Sequence, residues 1–367
     1  MAEQNATDYI YYYDFENSTG DPSFVRGCSD ICFRGAHIFL PLIYYLIFFT
    51  GFWGNLFVIS VVLSKGKRGG RLVDTFVVNL ALADLIFVLT LPLWAISASQ
   101  DNIWNFGQAS DLLCKLSSYI ISVNRFSNIF FLTCMSIDRY LAIVKMMDSR
   151  YLRRSHCIRI TCIALWIISL VLGIPSLIYR KVEEKNGFCT EDDANLFLVM
   201  NLVMVLLTFV FPVLIIVLCY GTIIMHLNKH CVAAGNPRAE ARRRHSLKMV
   251  LCIIVVFVVS WLPFNIFKSI SVISHLSAAN ISRDTQFWQV NGLLISCCLA
   301  FLNSCVNPAI YFFLDHHFRR QAQNLCQGCF GKPKLLQSFN SSASVTNAGT
   351  TDSYATSGGR TQLQVFQ

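Results

Sequence analysis

Charged residues are scarce in this chain: Asp, Glu, Lys and Arg make up 14% of its 367 residues, whereas hydrophobic residues make up 54%. Soluble domains carry about 25% charged residues, so the composition excludes an ordinary soluble protein. Low charge with repeated apolar runs of about 20 residues indicates a polytopic helical membrane protein. The net charge of +9 does not indicate a nucleic-acid partner, because the bases cluster in short loops beside apolar runs.

Enzyme and transporter signatures are also missing. The sequence contains no His-Glu-x-x-His, no Gly-x-Ser-x-Gly and no P-loop. We therefore expect a protein that is not an enzyme and needs no cofactor. There is no internal repeat and no pair of broken helices of the inverted-repeat kind, which argues against a transporter or channel.

Residues 1–35 lack the apolar region of a cleavable signal peptide. We expect this stretch to be an extracellular acidic tail, followed by an uncleaved anchor. Asn5 and Asn17 begin glycosylation triplets, which matter only if the tail lies outside. Four tyrosines lie among the tail's acids. If they are sulfated, the tail attracts a basic ligand surface; otherwise it is a solvated disordered segment.

Long apolar runs dominate the rest of the chain, and there are seven of them. An odd number of crossings places the two termini on opposite sides of a membrane. We therefore predict an all-α membrane protein, a seven-transmembrane helix bundle. The runs cover residues 36–64, 73–98, 111–144, 157–179, 196–227, 246–275 and 286–314.

Basic residues alternate between the connecting loops. Loop 99–110 has none and loop 276–285 has only Arg283. Positive charge marks the cytoplasmic side, so we predict an extracellular amino terminus and a cytoplasmic carboxyl terminus in the plasma membrane. The base-rich loops are 65–72, 145–156 and 228–245.

The segment after the seventh run is basic and amphipathic. We predict a short eighth helix on the membrane surface at 315–327, pinned by palmitoylation at Cys326 and Cys329. Residues 328–367 are rich in Ser and Thr and should be a disordered cytoplasmic tail. Residues 36–314 form the seven-helix domain.

Polar side chains within apolar runs are costly in a bilayer, so they usually face the bundle interior and carry a role. If those of this chain converge, they form a buried network. One interpretation is structural hydrogen bonding alone, and the other is a switch or a cation site, with sodium near Asp84. The predicted network comprises Asn55, Asp84, Asn128, Asn303, Ser304 and Asn307.

Several landmarks occur one set per run. The chain resembles the rhodopsin-like (class A) G-protein-coupled receptors over nearly its whole length. Segments 90–92, 104–107 and 138–144 are similar to those of chemokine, angiotensin and apelin receptors, and segments 71–95 and 114–119 to orphan-type receptors of that cluster. The landmarks are Asn55, Asp84, Asp138-Arg139-Tyr140, Trp166, Pro212 with Tyr220, Trp261 with Pro263, and Asn307 to Tyr311.

The resemblance implies roles for single residues. Cys114 should pair with Cys189. Arg139 should meet the G protein on activation, paired with Asp138 at rest, while Tyr220 and Tyr311 swing in beside it. The implied switch set is Asp138, Arg139, Tyr140, Tyr220, Trp261, Pro263, Asn307, Pro308 and Tyr311.

The resemblance also implies partners: an extracellular peptide or chemokine-like ligand, a G protein of the inhibitory class, a receptor kinase with arrestin, and membrane lipids. An atypical scavenger receptor that does not couple to a G protein is the alternative.

Three departures from the family limit these implications. Arg242 to Arg244 stand where rhodopsin has an acid that holds the cytoplasmic arginine, so the resting state needs other contacts. Loop 276–285 has no cysteine, so Cys28 and Cys32 either pair with each other or leave one free. Cys297 stands where many chemokine receptors have a glutamate.

Arg125 is a charge deep in the third run, fourteen positions before Arg139 and thus ~21 Å above it along a helix. An unpaired Arg there costs several kcal/mol, so it needs a partner. Either it pairs with Asp84, displacing sodium, or it binds a ligand carboxylate such as a peptide's free carboxyl terminus. Lys268 either adds to this cationic pocket or snorkels. The predicted ligand pocket is Tyr44, Trp94, Arg125, Trp261 and Lys268.

Overall fold

The computed structural model describes residues 32–64, 72–145, 155–184, 187–192, 194–230, 237–277 and 282–329. By its internal contacts the chain divides into Met1–Gln323 and Asn324–Gln367. Several predictions lie outside the described residues: glycosylation at Asn5 and Asn17, tyrosine sulfation, the base-rich loop 65–72 and most of 145–156, the Arg242 to Arg244 side chains, and most of the tail 328–367.

Within the described ranges, seven helical segments are long and apolar enough to cross a membrane. This confirms the predicted seven-helix architecture. The helices are α1 (Ala36–Leu63), α2 (Leu72–Val88), α3 (Leu91–Ser99), α4 (Ser110–Ile143), α5 (Ser155–Tyr179), α6 (Asn195–Val205), α7 (Phe211–His230), α8 (Pro237–Leu276), α9 (Arg283–Leu314) and α10 (His316–Cys329).

Two of the crossings are interrupted where proline enters the run. Pro92 lies in the first turn of α3, where its missing N–H removes no helical hydrogen bond, and it separates α3 from α2. A single π-helical segment, Leu206–Val210, joins α6 to α7 just before Pro212. Pro263 and Pro308 lie inside α8 and α9, which continue through them.

Apolar side chains cover the outside of the bundle as well as its interior. Trp53 is 64% exposed and Phe313 is 71% exposed, although both lie in long apolar helices. Large exposed apolar side chains on every crossing suit contact with lipid rather than with water.

The connection between α5 and α6 carries a two-stranded antiparallel hairpin, β1 (Arg180–Val182) and β2 (Cys189–Glu191). Cys189 forms a disulfide with Cys114 near the start of α4, with Cα atoms 5.7 Å apart, as the resemblance implies. This bond fixes β2 to the central helix. We call this end of the bundle the hairpin end, and the opposite end, near Arg139, the arginine end.

The segment predicted to be an amphipathic eighth helix is helix α10. Asp315 begins it, since its Oδ1 accepts hydrogen bonds from the backbone N–H groups of His317 and Phe318 at 3.0 and 3.2 Å. Phe318 is buried and its ring lies 6.2 Å from that of Tyr311 and 6.0 Å from that of Phe57. The aromatic contacts attach the beginning of α10 to α1 and α9.

Candidate functional site

A cavity of about 260 Å³ opens between the helices at the hairpin end. Its lining includes all five side chains predicted to form the ligand pocket, which come from α1, α3, α4 and α8. Hairpin residues and residues of α5, α6 and α9 complete the wall. A concave, largely apolar space with a few convergent polar groups is the usual form of a ligand site. The five are Tyr44, Trp94, Arg125, Trp261 and Lys268.

Arg125 lies deep in this cavity without an acidic partner among the described residues. Its guanidinium carbon is 4.8 Å from the ring centre of Phe126, 6.0 Å from that of Trp261 and 5.9 Å from that of Phe264. Aromatic faces stabilise a cation by about 0.5–2 kcal/mol, which compensates only part of its desolvation. The cation is therefore held but not neutralised.

Two other cations of the cavity share one carboxylate. Glu191 is the last residue of β2. Its Oε1 accepts a hydrogen bond from Arg180 Nη2 at 2.9 Å, and its Oε2 accepts one from Lys268 Nζ at 2.5 Å. Arg180 is the direct cross-strand neighbour of Glu191 in the hairpin register. Lys268 therefore reaches into the cavity and forms an ion pair, so the snorkelling alternative is wrong for this conformation.

The electrostatic environment of Glu191 strongly favours its charged form. Burial by itself raises the pKa of the carboxyl group, but the nearby charges of Lys268, Arg180 and Arg125 outweigh burial and lower the pKa to about 2. Glu191 is therefore ionised across the physiological pH range.

The cavity contains buried hydrogen-bond donors that have no acceptor in the described part of the chain. All are N–H groups of residues that line the cavity, so a ligand that supplies acceptor atoms would complement them. Buried polar groups normally find partners, and a set lacking the same kind of partner suggests a complementary ligand. The unpaired groups are Trp94 Nε1, Arg125 Nε, Asn201 Nδ2 and Trp261 Nε1.

The predicted pairing of Arg125 with Asp84 is not present in the described structure. Asp84 is fully buried in α2 and accepts four hydrogen bonds, all from neutral groups. A carboxylate with this many donors is already compensated, and the guanidinium of Arg125 lies in the cavity instead. The donors are Asn124 at 3.0 Å, Asn128 at 2.8 Å, Ser304 at 2.8 Å and Asn307 at 3.0 Å.

The other predicted network residues lie close to this carboxylate. Asn55 Nδ2 donates to the backbone oxygens of Gly51 and Ser304. Four buried amide oxygens of the network have no donor among the described residues: Asn55, Asn128, Asn303 and Asn307. Oxygen ligands of this kind suit a hard cation, so the residues fit a sodium ion, and Asp84 with these amides would hold it.

The switch residues of the arginine end are buried or half-buried. Arg139 Nη2 lies 3.0 Å from Asp138 Oδ2, the pair that the resemblance implies for the resting state. Tyr220 and Tyr311 are buried, with 6% and 2% of their surface exposed, and their hydroxyls have no hydrogen-bond partner in the described residues. Two tyrosine hydroxyls without partners are free to find them in another arrangement of the helices.

Trp261 links the cavity to the bundle interior. It is 3% exposed, lines the cavity, and packs edge-to-face on Phe264 at 5.7 Å. Its neighbour two positions on, Pro263, interrupts the hydrogen bonding of α8. Trp166, another landmark, donates its indole N–H to Asn79 Oδ1 at 2.8 Å and serves packing between α2 and α5.

Sequence reasoning missed three site residues. Arg180 and Glu191 lie in the connecting loop 180–195, which mixes three bases with five acids, and that pattern singles out neither of them. Asn124 is the third. The available signal for Glu191 was its position two residues after Cys189, which the disulfide holds close to α4. For Asn124 the signal was an amide side chain within an apolar run, one position before Arg125. Spacing alone does not show which helix the Asn124 side chain faces.

The remaining cysteines separate into two groups. Cys32 is disulfide-bonded; Cys28, which the sequence offers as its partner in one of two alternatives, lies outside the described residues. The thiols within the crossings, among them Cys297 in the cavity wall, are not oxidised. Cys326, a predicted palmitoylation site, is exposed and free, whereas the side chain of Cys329 is outside the described residues.

Comparisons with known proteins agree with this architecture. Residues 54–311 match the family described as 7 transmembrane receptor (rhodopsin family). The chain is 36% identical to G-protein coupled receptor 15 of Mus musculus over 87% of its own length and 86% of that protein. It is 37% identical to probable G-protein coupled receptor 25 of Mus musculus over 83% of each chain. It is 35% identical to apelin receptor B of Xenopus laevis over 92% of each.

Proposed function

The chain belongs to the rhodopsin family of seven-transmembrane receptors, and we propose that it binds the free carboxyl terminus of an extracellular peptide or chemokine-like protein at the hairpin end. It is a multi-pass G-protein-coupled receptor and not an enzyme. The hairpin end faces the outside of the plasma membrane in this proposal, because the base-rich loops follow the opposite ends of the crossings.

Arg125 is the observation that carries the ligand class. It is a cation inside a cavity of about 260 Å³, and within the described part of the chain it forms no ion pair and three other N–H groups of the cavity lack acceptors. A carboxylate supplies two oxygens to the guanidinium fork, and the peptide carbonyls behind it supply further acceptors. A similar receptor of Xenopus laevis is named for apelin, which is consistent with a secreted ligand.

Signal transmission follows from two packings of the same helices. A ligand that contacts Trp261 favours one position of α8, and that packing releases Arg139 from Asp138 to meet the G protein, of the inhibitory class. Tyr220, Tyr140 and the Asn307-Pro308 to Tyr311 segment adjust with it. Receptor kinase and arrestin act on the Ser- and Thr-rich tail, and lipids contact α10, where Cys326 and Cys329 are palmitoylated.

A sodium ion fits beside Asp84 in the inactive packing. Asp84 and the amide oxygens of Asn55, Asn128, Asn303 and Asn307 are the groups that would hold it, and it would supply positive charge to the only acid of the network. The neutral donors already on Asp84 perform the same stabilisation of its charge.

The test is a screen of secreted peptides and chemokines on cells that express the chain with a G-protein activation sensor. Each active compound is then made as a free acid and as a carboxyl-terminal amide. We expect the amide to lose at least a factor of about 30, because truncating one partner of a buried charge pair costs 2–5 kcal/mol. Equal potency of acid and amide contradicts the carboxylate site.

Substitutions at Arg125 and Arg139 test ligand binding and G-protein activation separately. Arg125→Gln should reduce potency for the acid as strongly as amidation does, while Arg159→Gln, an exposed arginine of α5 outside the cavity, should leave potency unchanged. Arg139→Ala should abolish G-protein activation but retain ligand binding. Full G-protein activation by Arg139→Ala contradicts the role of Arg139; arrestin recruitment by the wild type without any G-protein response supports the scavenger alternative.

A further inference from the structure

Glu191 is the only acid among the described residues that line the cavity, and it faces three cations: Arg125, Arg180 and Lys268. Its two oxygens are both engaged, one by Arg180 and the other by Lys268. The described part of the cavity therefore contains an arginine that forms no ion pair and two further cations that share one carboxylate. A ligand meets these two subsites differently.

The position of Glu191 is built into the fold. It ends strand β2, opposite Arg180 in the hairpin register, and it follows Cys189, which is bonded to α4, by two residues. Its side chain is 23% exposed, so it lies within the wall and not on a loose loop. Displacing this carboxylate would break two ion pairs and leave a buried charge without a partner, which is strongly unfavourable.

Resting on the proposed carboxylate site, we propose that Glu191 determines the charge specificity of the receptor: it occupies Arg180 and Lys268 and so disfavours ligands with a second acid beside their terminal carboxylate. A ligand whose last residue is Asp or Glu has such an acid. Arg180 and Lys268 cannot neutralise it, because both are paired with Glu191, and the negative charge of Glu191 repels it. A ligand with a neutral last side chain has no such conflict. Specificity of this kind comes from the repulsive element as much as from the attractive one.

The experiment uses the full-length receptor in lipid nanodiscs and two pools of random nonapeptides with free carboxyl termini. The last residue is Glu in one pool and Gln in the other, and retained peptide is quantified by mass spectrometry. The measured quantity is the ratio of Glu-ended to Gln-ended peptide retained. Glu191→Gln should raise this ratio about tenfold over the wild type, because the cations become available to a second acid.

Matched variants test the charge and not merely the fold. Glu191→Asp, which keeps the charge, and Asp192→Asn, which removes a neighbouring acid that pairs with Lys181 on an exposed surface, should both keep the wild-type ratio. Lys268→Gln should lower the ratio below that of the wild type, since Glu191 is then less compensated. This lowered ratio tests the specificity role of Glu191 even if the Glu191→Gln variant folds poorly.

The outcomes separate the inference from the function on which it rests. Both pools are also prepared as carboxyl-terminal amides. If the wild type retains the free acids over these amides but neither Glu191→Gln nor Lys268→Gln changes the ratio by more than twofold, the specificity role of Glu191 is overturned and the carboxylate site stands. If the wild type retains the free acids and the amides equally, the carboxylate site is overturned and this inference with it.

Discussion

The cavity at the hairpin end and the Asp84 network in the middle of the bundle are both buried polar clusters, yet they differ in which hydrogen-bonding groups have no partner among the described residues. The cavity contains N–H groups without acceptors, whereas the network contains amide oxygens without donors. The acid at the centre of the network accepts four hydrogen bonds from neutral donors, while the cation of the cavity, Arg125, has aromatic faces beside it and no ion pair among the described residues, although the charge of Glu191 is near.

The difference separates what holds the bundle together from what receives a ligand. Asp84 is satisfied by side chains from α4 and α9, so its contacts tie three helices together without outside help. Arg125 contacts aromatic rings in the cavity and forms no ion pair with the described residues, so under the proposed function its partner is the ligand. A buried charge that is compensated within the chain is a structural element, and one that is not compensated indicates a binding site.

Removing the central acid should have the largest effect on stability. Asp84→Ala leaves four buried donors without an acceptor, so we expect it to lower the free energy of unfolding by about 3–5 kcal/mol. Thermal unfolding of the purified receptor measures this. As a control, Asp111→Ala removes a half-exposed acid that pairs with Lys115 and should cost less than about 1 kcal/mol. Equal melting temperatures for the two variants would refute the structural role of Asp84.

The cavity cluster should respond to acid instead. The fold lowers the pKa of Glu191 from 4.5 to about 2, so its charged form stabilises the native state at pH values above 4.5. This contribution, on the order of 3 kcal/mol at most, is lost as the pH falls from about 4.5 towards 2. The stability difference between wild type and Glu191→Gln should be constant from pH 7 to 5 and shrink below 4.5. A difference that changes between pH 7 and 5 would contradict this assignment.

A packing change beside the cavity should affect that cluster alone. A Cβ atom on Gly292 of α9 would lie 2.3 Å from the ring of Phe267, the neighbour of Lys268. Gly292→Ala should therefore cost about 1–3 kcal/mol and weaken ligand binding. Gly221→Ala, at a helical glycine with open space around it, is the matched control and should be neutral or slightly stabilising. Unchanged stability of Gly292→Ala would show that α8 and α9 yield easily.

The smallest expected quantity is the coupling between the two clusters. Asp84 and Arg125 share no hydrogen-bond partner in the described structure, so their effects on stability should add within about 0.5 kcal/mol. A double-mutant cycle of Asp84→Asn and Arg125→Gln measures this coupling. A coupling energy above about 1 kcal/mol would instead support an ion pair between Arg125 and Asp84, the alternative given by the sequence.

The sequence was sufficient for the crossings, the disulfide and most of the pocket. Run length and the alternation of bases are strong signals, and the landmarks identify positions along each helix. The rise per residue predicts the depth of Arg125 along the helix axis. It does not predict the direction of the side chain, because neighbouring residues on a helix differ by about 100°: Asn124 faces Asp84, and Arg125 faces the cavity.

The hairpin contacts could not be predicted for a different reason. Glu191 meets Lys268 only because strand register, the disulfide and the position of α8 agree. None of these is encoded near Glu191 in the chain, so a loop of mixed charge offered no way to choose among five acids and three bases. Pairing across a fold depends on long-range geometry, and single-residue patterns do not contain it.

The disulfide between Cys114 and Cys189 has a consequence for receptor handling. Since it anchors the strand that ends in Glu191, a reductant that never enters the cavity would still loosen the carboxylate from Arg180 and Lys268. Dithiothreitol in a purification buffer would thus loosen this part of the cavity wall and, under the proposed role of Glu191, change the ligand preference of the protein.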